Sequence, residues 1–186
     1  LALSGVYARL CATYKSLTGK RAPRPAPIEA EAYASPNALR DDLIALARGL
    51  GAGGGGALAS GGALGRLIRS VETFGFHLAT LDMRQNSAVH ERVVGELLKI
   101  AGVEPDYAAL DEDARITLLR RELASPRPLT SPYADYSDET MGEIAIMHAA
   151  AEAHGRYGRH AITQYVVSMA QSVSDLLEVH LMLKEA

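Results

Sequence analysis

The sequence is poor in cysteine and aromatic residues, and it lacks any long hydrophobic run. Its 186 residues include one Cys, two Phe and no Trp. The single Cys11 excludes an intramolecular disulfide, a CxxC redox pair and a Cys-rich zinc site, so we expect a reducing, cytoplasmic location. No apolar stretch approaches the roughly 18 residues that span a bilayer, and we expect no membrane association. A formal net charge of −3 without a long basic run argues against nucleic-acid binding.

The first part of the chain has the pattern of a helical segment. A stripe of apolar residues from Leu3 to Leu17 predicts a helix that ends near Gly19, and a second helix is expected after Ser35-Pro36. Between them, alternating prolines over 23–27 indicate an extended linker. Residues 1–48 are therefore predicted to be an N-terminal helical segment with a Pro-rich linker.

A glycine-rich stretch follows over 49–65, with nine glycines in 17 residues. Gly51, Gly53 and Gly56 satisfy the GxGxxG spacing of dinucleotide-binding loops. However, the preceding segment is helical, and no Lys-Ser or Lys-Thr follows as in a Walker loop. The stretch is predicted to be a flexible surface loop.

Two segments predict strands, Phe74–Met83 and Ile162–Met169, the second rich in β-branched residues. Helical patterns lie between them and after the second. A parallel β/α unit has this order, in which a strand is followed by a long helical segment, a second strand and a helix. We therefore predict an α/β fold that is predominantly helical, with two parallel strands and long helices.

Asp82 and Arg84 are the candidate functional residues. Side chains of a strand alternate between its two faces, so these two residues and Thr80 share one face of the first predicted strand. The paired carboxylates of the chain lie near predicted helix starts, and the spacing of its six histidines does not fit a metal clamp, so no metal site is predicted. Barrels place reactive groups at the ends of parallel strands, and Arg is a bidentate donor to phosphate or carboxylate. From spacing alone, Arg84 fits an anion site and a structural ion pair with Asp82 equally well.

Three ordered motifs resemble the motifs of one enzyme family. Residues 74–87 with a following His90 resemble that family's FG…LDIRQES…H segment; Arg121-Glu122-Leu123 with Arg127-Pro128-Leu129 resembles its REL…RPL; and residues 165–186 resemble its YVISMAKTPSD…HLLLKEA. Asn86 and Gln171 depart from the family pattern, where Glu and Lys are common. The family that these motifs resemble is that of the phosphoenolpyruvate carboxylases. The resemblance covers Phe74–Ala186, whereas the first helix and residues 33–46 agree more loosely.

The resemblance implies an enzyme with a (β/α)8 barrel, usually a homotetramer, that uses Mg²⁺ or Mn²⁺ to convert phosphoenolpyruvate and bicarbonate into oxaloacetate and phosphate. By similarity, Arg84 is a catalytic, substrate-binding residue that contacts the phosphate. Because Asp82 shares its strand face, we expect Asp82 to orient the guanidinium. Residues 66–186 would be the first β/α units of an incomplete barrel. The family's catalytic His and metal carboxylates correspond to no residue here, so we expect a fragment that is inactive alone and binds no metal. Because two parallel strands leave unpaired edges, we also expect the fragment to self-associate, to borrow strands from a neighbour or to be only marginally stable.

One alternative belongs to another class. In that interpretation the chain is a non-catalytic helical interaction domain, and Asp82 and Arg84 form a structural ion pair.

Overall fold

The computed structural model of the chain describes residues 2–56 and 61–186 and is mostly helical. Its helices and strands, labelled in chain order, are α1 (Ala2–Thr18), α2 (Pro36–Ala52), α3 (Ala63–Phe74), β1 (Leu81–Asn86), α4 (Ser87–Ile100), α5 (Glu112–Ala124), α6 (Asp138–Tyr157), β2 (Ile162–Ser168) and α7 (Val173–Lys184). Short 3-10 turns occur at Tyr107–Ala109 and Arg159–Ala161. None of the helices in the described ranges combines the length and apolar character needed to cross a membrane.

Side-chain caps set the starts of several helices. The Ser35 side chain accepts a hydrogen bond from the first turn of α2, with Pro36 at the first helical position. Asn86 caps α4 in the same way, and Ser172 with Asp175 forms a complete capping box at α7. The predicted start of α2 is therefore confirmed.

The first strand was predicted too early. α3 extends to Phe74, Gly75 ends it with φ 56°, and β1 begins only at Leu81. The bulky residues between them have a strand-like composition but no strand opposite them, because the partner strand begins at Ile162, which pairs with Leu81. The limits of a strand depend on its partner and not only on its own composition.

The helices on both sides of the glycine-rich stretch extend into it, so less of it is a loop than predicted. α2 continues through Ala52, so Gly49 and Gly51 are helical, and α3 begins at Ala63. A glycine in a helix lowers its stability by about 1 kcal/mol relative to alanine. This cost is too small to end a helix that the buried Leu39 and Leu43 already anchor. Residues 57–60 of the predicted loop lie outside the described residues.

β1 and β2 pair in parallel, which confirms the predicted β/α order. The register sets Asp82 opposite Gln164, Arg84 opposite Val166 and Asn86 opposite Ser168, and these six residues share one face of the sheet. The opposite face carries Met83 and Tyr165, which pack against a core of helical side chains.

The chain divides into two compact units. The first comprises Leu1–Thr80 with Gly155–Ala161, and its core is built around Tyr33, Leu39, Leu43 and Val71. The second comprises Leu81–His154 with Ile162–Ala186 and contains the sheet. Its core includes the fully buried Val93, Val94, Leu97, Leu119 and Leu181.

Candidate functional site

Arg84 and Asp82 form a bidentate ion pair on the open face of β1. Arg84 Nε donates to Asp82 Oδ1 at 3.1 Å, and Nη2 donates to Oδ2 at 2.8 Å. The Arg84 side chain remains 74% exposed, compared with 35% for Asp82. The predicted alternation is thus confirmed for these two residues, and a planar guanidinium fork is held at the surface of the sheet.

The pair stays charged over a wide pH range. The hydrogen bond from Arg84 holds the pKa of Asp82 below its ordinary value, and the same bond raises the pKa of Arg84. Because Asp82 accepts two hydrogen bonds from one edge of the guanidinium, it fixes the plane of that group and the direction of its other N–H bonds. The arrangement is an ion pair, and its geometry is compatible with two roles, a structural pair and an oriented donor to an oxyanion.

Side-chain hydrogen bonds join the carboxyl ends of the two strands. Ser168 Oγ donates to the carbonyl of Gln85 at 3.3 Å, and Ser87 Oγ donates to the carbonyl of Met169 at 3.0 Å. Met169 has φ 62°, a left-handed conformation that is uncommon outside glycine. These bonds therefore fix the place where both strands end and where the chain turns toward α4 and α7.

A polar layer lies behind the sheet, on the face opposite Arg84. Gln85 Nε2 donates to Glu143 Oε1 of α6 at 2.6 Å, and His90 Nε2 lies 2.8 Å from the hydroxyl of Tyr165. Burial lowers the pKa of His90, whereas burial and the nearby Glu143 carboxylate raise the pKa of Tyr165 to about 12.

Sequence reasoning missed Glu143. It falls in the buried stripe of α6 that also contains Thr140, Met147 and Ala150. A carboxylate is rare in a buried stripe unless it has a hydrogen-bond or ionic partner. The position of a Glu within this stripe is therefore the sequence signal that could have identified Glu143.

A cleft of about 510 Å³ lies at the carboxyl ends of the strands, in the second unit. Glu112 accepts hydrogen bonds from the backbone N–H and hydroxyl of Ser174, and Asp175 accepts from the backbone N–H groups of Gln171 and Ser172. The donors at the start of α7 are therefore largely engaged by the protein's own carboxylates. The N-terminus of α7 is not open for an anion.

The later family-like motifs meet in one structural cluster. Lys184 Nζ donates to the carbonyls of Glu122 and Arg127 at 2.8 and 2.9 Å, and Glu185 Oε2 accepts from the backbone N–H groups of Leu129 and Thr130, each at 2.8 Å. These bonds tie the end of α7 to the last turn of α5 and to the segment that follows it. Residues of the REL, RPL and KEA motifs are therefore hydrogen-bonded to one another, which gives these motifs a structural role.

Metal-ligating groups do not cluster in the part of the chain that the structure describes. Within residues 2–56 and 61–186, no three His, Cys, Asp or Glu side chains are arranged to hold a metal ion. Both carboxylate oxygens of Asp82 are engaged by Arg84.

Comparison with known proteins covers the whole chain. The sequence profile of the phosphoenolpyruvate carboxylase family matches residues 1–186. The chain is 56% identical to the phosphoenolpyruvate carboxylase of Aromatoleum aromaticum, 54% to that of Azoarcus sp. and 53% to that of a Rhodopseudomonas palustris strain, over 185 residues in each case. Each match covers 100% of the chain and 20% of the relative, so the chain spans about a fifth of their length. On this match over its full length, the chain belongs to the phosphoenolpyruvate carboxylase family.

Proposed function

We propose that this chain is the part of a phosphoenolpyruvate carboxylase that begins the catalytic barrel and supplies one phosphate-binding arginine. The enzyme would carboxylate phosphoenolpyruvate with bicarbonate, giving oxaloacetate and phosphate. The observation that carries the proposal is the exposed guanidinium of Arg84, oriented by Asp82 on the open face of a parallel sheet. Family membership supports the reaction, and the geometry of the pair supports the role of the residue.

The open face of the sheet supports a barrel. Helical side chains pack against Met83 and Tyr165 on one face, while Asp82, Arg84 and Val166 on the other are exposed. A (β/α)8 barrel covers the outer face of its parallel strands with helices and turns the other face inward. We therefore assign residues 66–186 to the first β/α units of such a barrel, in a homotetrameric enzyme.

The reaction requires a hydrogen-bond donor that contacts the phosphoryl group while the charge on that group changes. Bicarbonate attacks the phosphorus, the bond to the enol oxygen breaks, and carboxyphosphate and the enolate of pyruvate form. Negative charge is redistributed over the phosphoryl oxygens during transfer, and a preorganised guanidinium stabilises it. Asp82 keeps Arg84 oriented before substrate binds, so that little reorganisation is needed during the reaction.

The family also implies Mg²⁺ or Mn²⁺. The described residues do not fit that ion, because Asp82 is committed to Arg84 and no suitable cluster occurs among them. We assign no step of the reaction to a metal held by this chain. The role proposed for Arg84 is direct contact with the phosphate.

The test is Arg84→Lys in the whole enzyme that contains this sequence. Lys keeps the charge but replaces a planar fork by a point donor, so we expect turnover to fall about a hundredfold, as when one oxyanion donor is removed. The measurement is oxaloacetate formation at saturating phosphoenolpyruvate and Mg²⁺, with circular dichroism to confirm folding.

Arg92→Lys is a matched control. Arg92 makes a bidentate pair with Glu139, at 2.9 and 2.6 Å, and is also exposed. We expect this variant to retain wild-type turnover. A folded Arg84→Lys enzyme with near wild-type turnover would refute the phosphate contact and favour a non-catalytic domain in which the Asp82–Arg84 pair is structural.

A further inference from the structure

We infer that Glu143 is a positioning residue for Arg84 and acts through the side chain of Gln85, from behind the sheet. The inference rests on the role proposed above for Arg84. It goes further because it assigns a function to a carboxylate of α6 that does not face the open side of the sheet.

Glu143 is a buried carboxylate, only 8% exposed. Burying a carboxylate is costly unless it is hydrogen-bonded, and its bond to the sheet is the 2.6 Å contact with the amide of Gln85. An apolar side chain at this position would pack in the same stripe as Met147 without that cost. The presence of a buried carboxylate at this position therefore points to a requirement for the hydrogen bond itself.

Gln85 is held at both ends of its amide group. Its Nε2 donates to Glu143, and its Oε1 accepts from the backbone N–H of Asn86 at 2.8 Å. Its own backbone carbonyl accepts from Ser168 Oγ at 3.3 Å. The peptide groups on the C-terminal side of Arg84 are thus fixed by side chains from both α6 and β2.

Strand geometry transmits this constraint to Arg84. Successive side chains of a strand point to opposite faces, so Gln85 anchors β1 from behind while Arg84 projects from the front. Rotation of the strand about its axis would move the guanidinium relative to a bound phosphate. A misplacement of about 1 Å can cost as much as a hundredfold in rate, so a bond that prevents this rotation has a functional effect.

The test is a double-mutant cycle in the whole enzyme, with Glu143→Met, Arg84→Lys and the two together. We expect Glu143→Met alone to lower kcat/KM roughly tenfold, because the strand loses its anchor. In the Arg84→Lys background the same change should add less than about threefold, because two residues that act through one contact are not additive.

Two further variants separate positioning from folding. Glu143→Gln keeps a carbonyl that accepts from Gln85, and it should retain kcat/KM within about threefold of wild type. Glu139→Met changes an exposed carboxylate on the same helix and should have no effect. If Glu143→Met does not fold, the double variant Gln85→Met with Glu143→Met removes both side chains of their shared hydrogen bond, so neither of the two is left unpaired. Because the backbone N–H of Asn86 also loses its contact with Gln85, this variant should show at least the same tenfold loss.

The outcomes are distinguishable. If Arg84→Lys loses turnover but Glu143→Met is additive with it, or leaves kcat/KM unchanged, the positioning role is refuted and the function proposed for Arg84 stands. If Arg84→Lys itself retains turnover, the proposed function fails, and the positioning role fails with it.

Discussion

Raising the pH is expected to destabilise the second unit, because Glu178 must ionise inside the core. Glu178 lies on α7 and is completely buried. Its Oε1 accepts a hydrogen bond from the hydroxyl of Tyr107 at 2.8 Å, while its Oε2 has no hydrogen-bond partner among the described residues. The protonated carboxyl therefore suits this environment better than the carboxylate.

Burial is the main reason that the pKa of Glu178 rises from 4.5 to about 7. Asp175 and Glu91 raise this pKa further, whereas the hydrogen bond from Tyr107 and the charge of Arg115 lower it. The folded state thus holds the proton more tightly than the unfolded state. Stability from this group is fully present below about pH 4.5 and is lost as the pH rises through about 7. At about 1.4 kcal/mol per pKa unit, the loss in the free energy of unfolding is about 3 kcal/mol.

Urea unfolding of the chain, followed by circular dichroism at several pH values between about 5 and 8.5, measures this loss. Glu178→Gln keeps an acceptor for Tyr107 but does not titrate, so its free energy of unfolding should vary much less over this range. Glu139→Gln is the control. The pKa of Glu139 is lowered by Arg92, so its effect lies at acid pH and the wild-type slope should remain. Equal slopes for wild type and Glu178→Gln would refute the reasoning.

Two other predictions concern packing and assembly. Lys184→Met removes two hydrogen bonds from Nζ to backbone carbonyls, and we expect urea unfolding to show a loss of about 2 kcal/mol; the exposed Lys99→Met should show almost none, and equal losses would contradict the assignment. The isolated chain should self-associate, because each strand of its two-stranded sheet has one unpaired edge within the described residues. Size-exclusion chromatography with light scattering tests this, and a monomer at every concentration would contradict it.

Local features of the fold followed from the sequence. The cap Ser35 acts on a backbone group three residues away, so a short-range pattern predicted the start of α2. Asn86 and Ser172 cap their helices over equally short separations. The parallel order of the strands followed from their separation by long helical segments. Asp82 and Arg84 are two residues apart in a strand, and alternation alone predicted their common face.

Features that depend on distant residues were decided only by the tertiary structure. The start of β1 is set by Ile162, about 80 residues away along the chain, and not by the bulky residues before Leu81. The partner of Gln85 is Glu143, and the partner of Glu178 is Tyr107, at separations of 58 and 71 residues. Composition and spacing carry no record of such pairings, because the free energy of a buried hydrogen bond depends on which side chains the packed elements bring together.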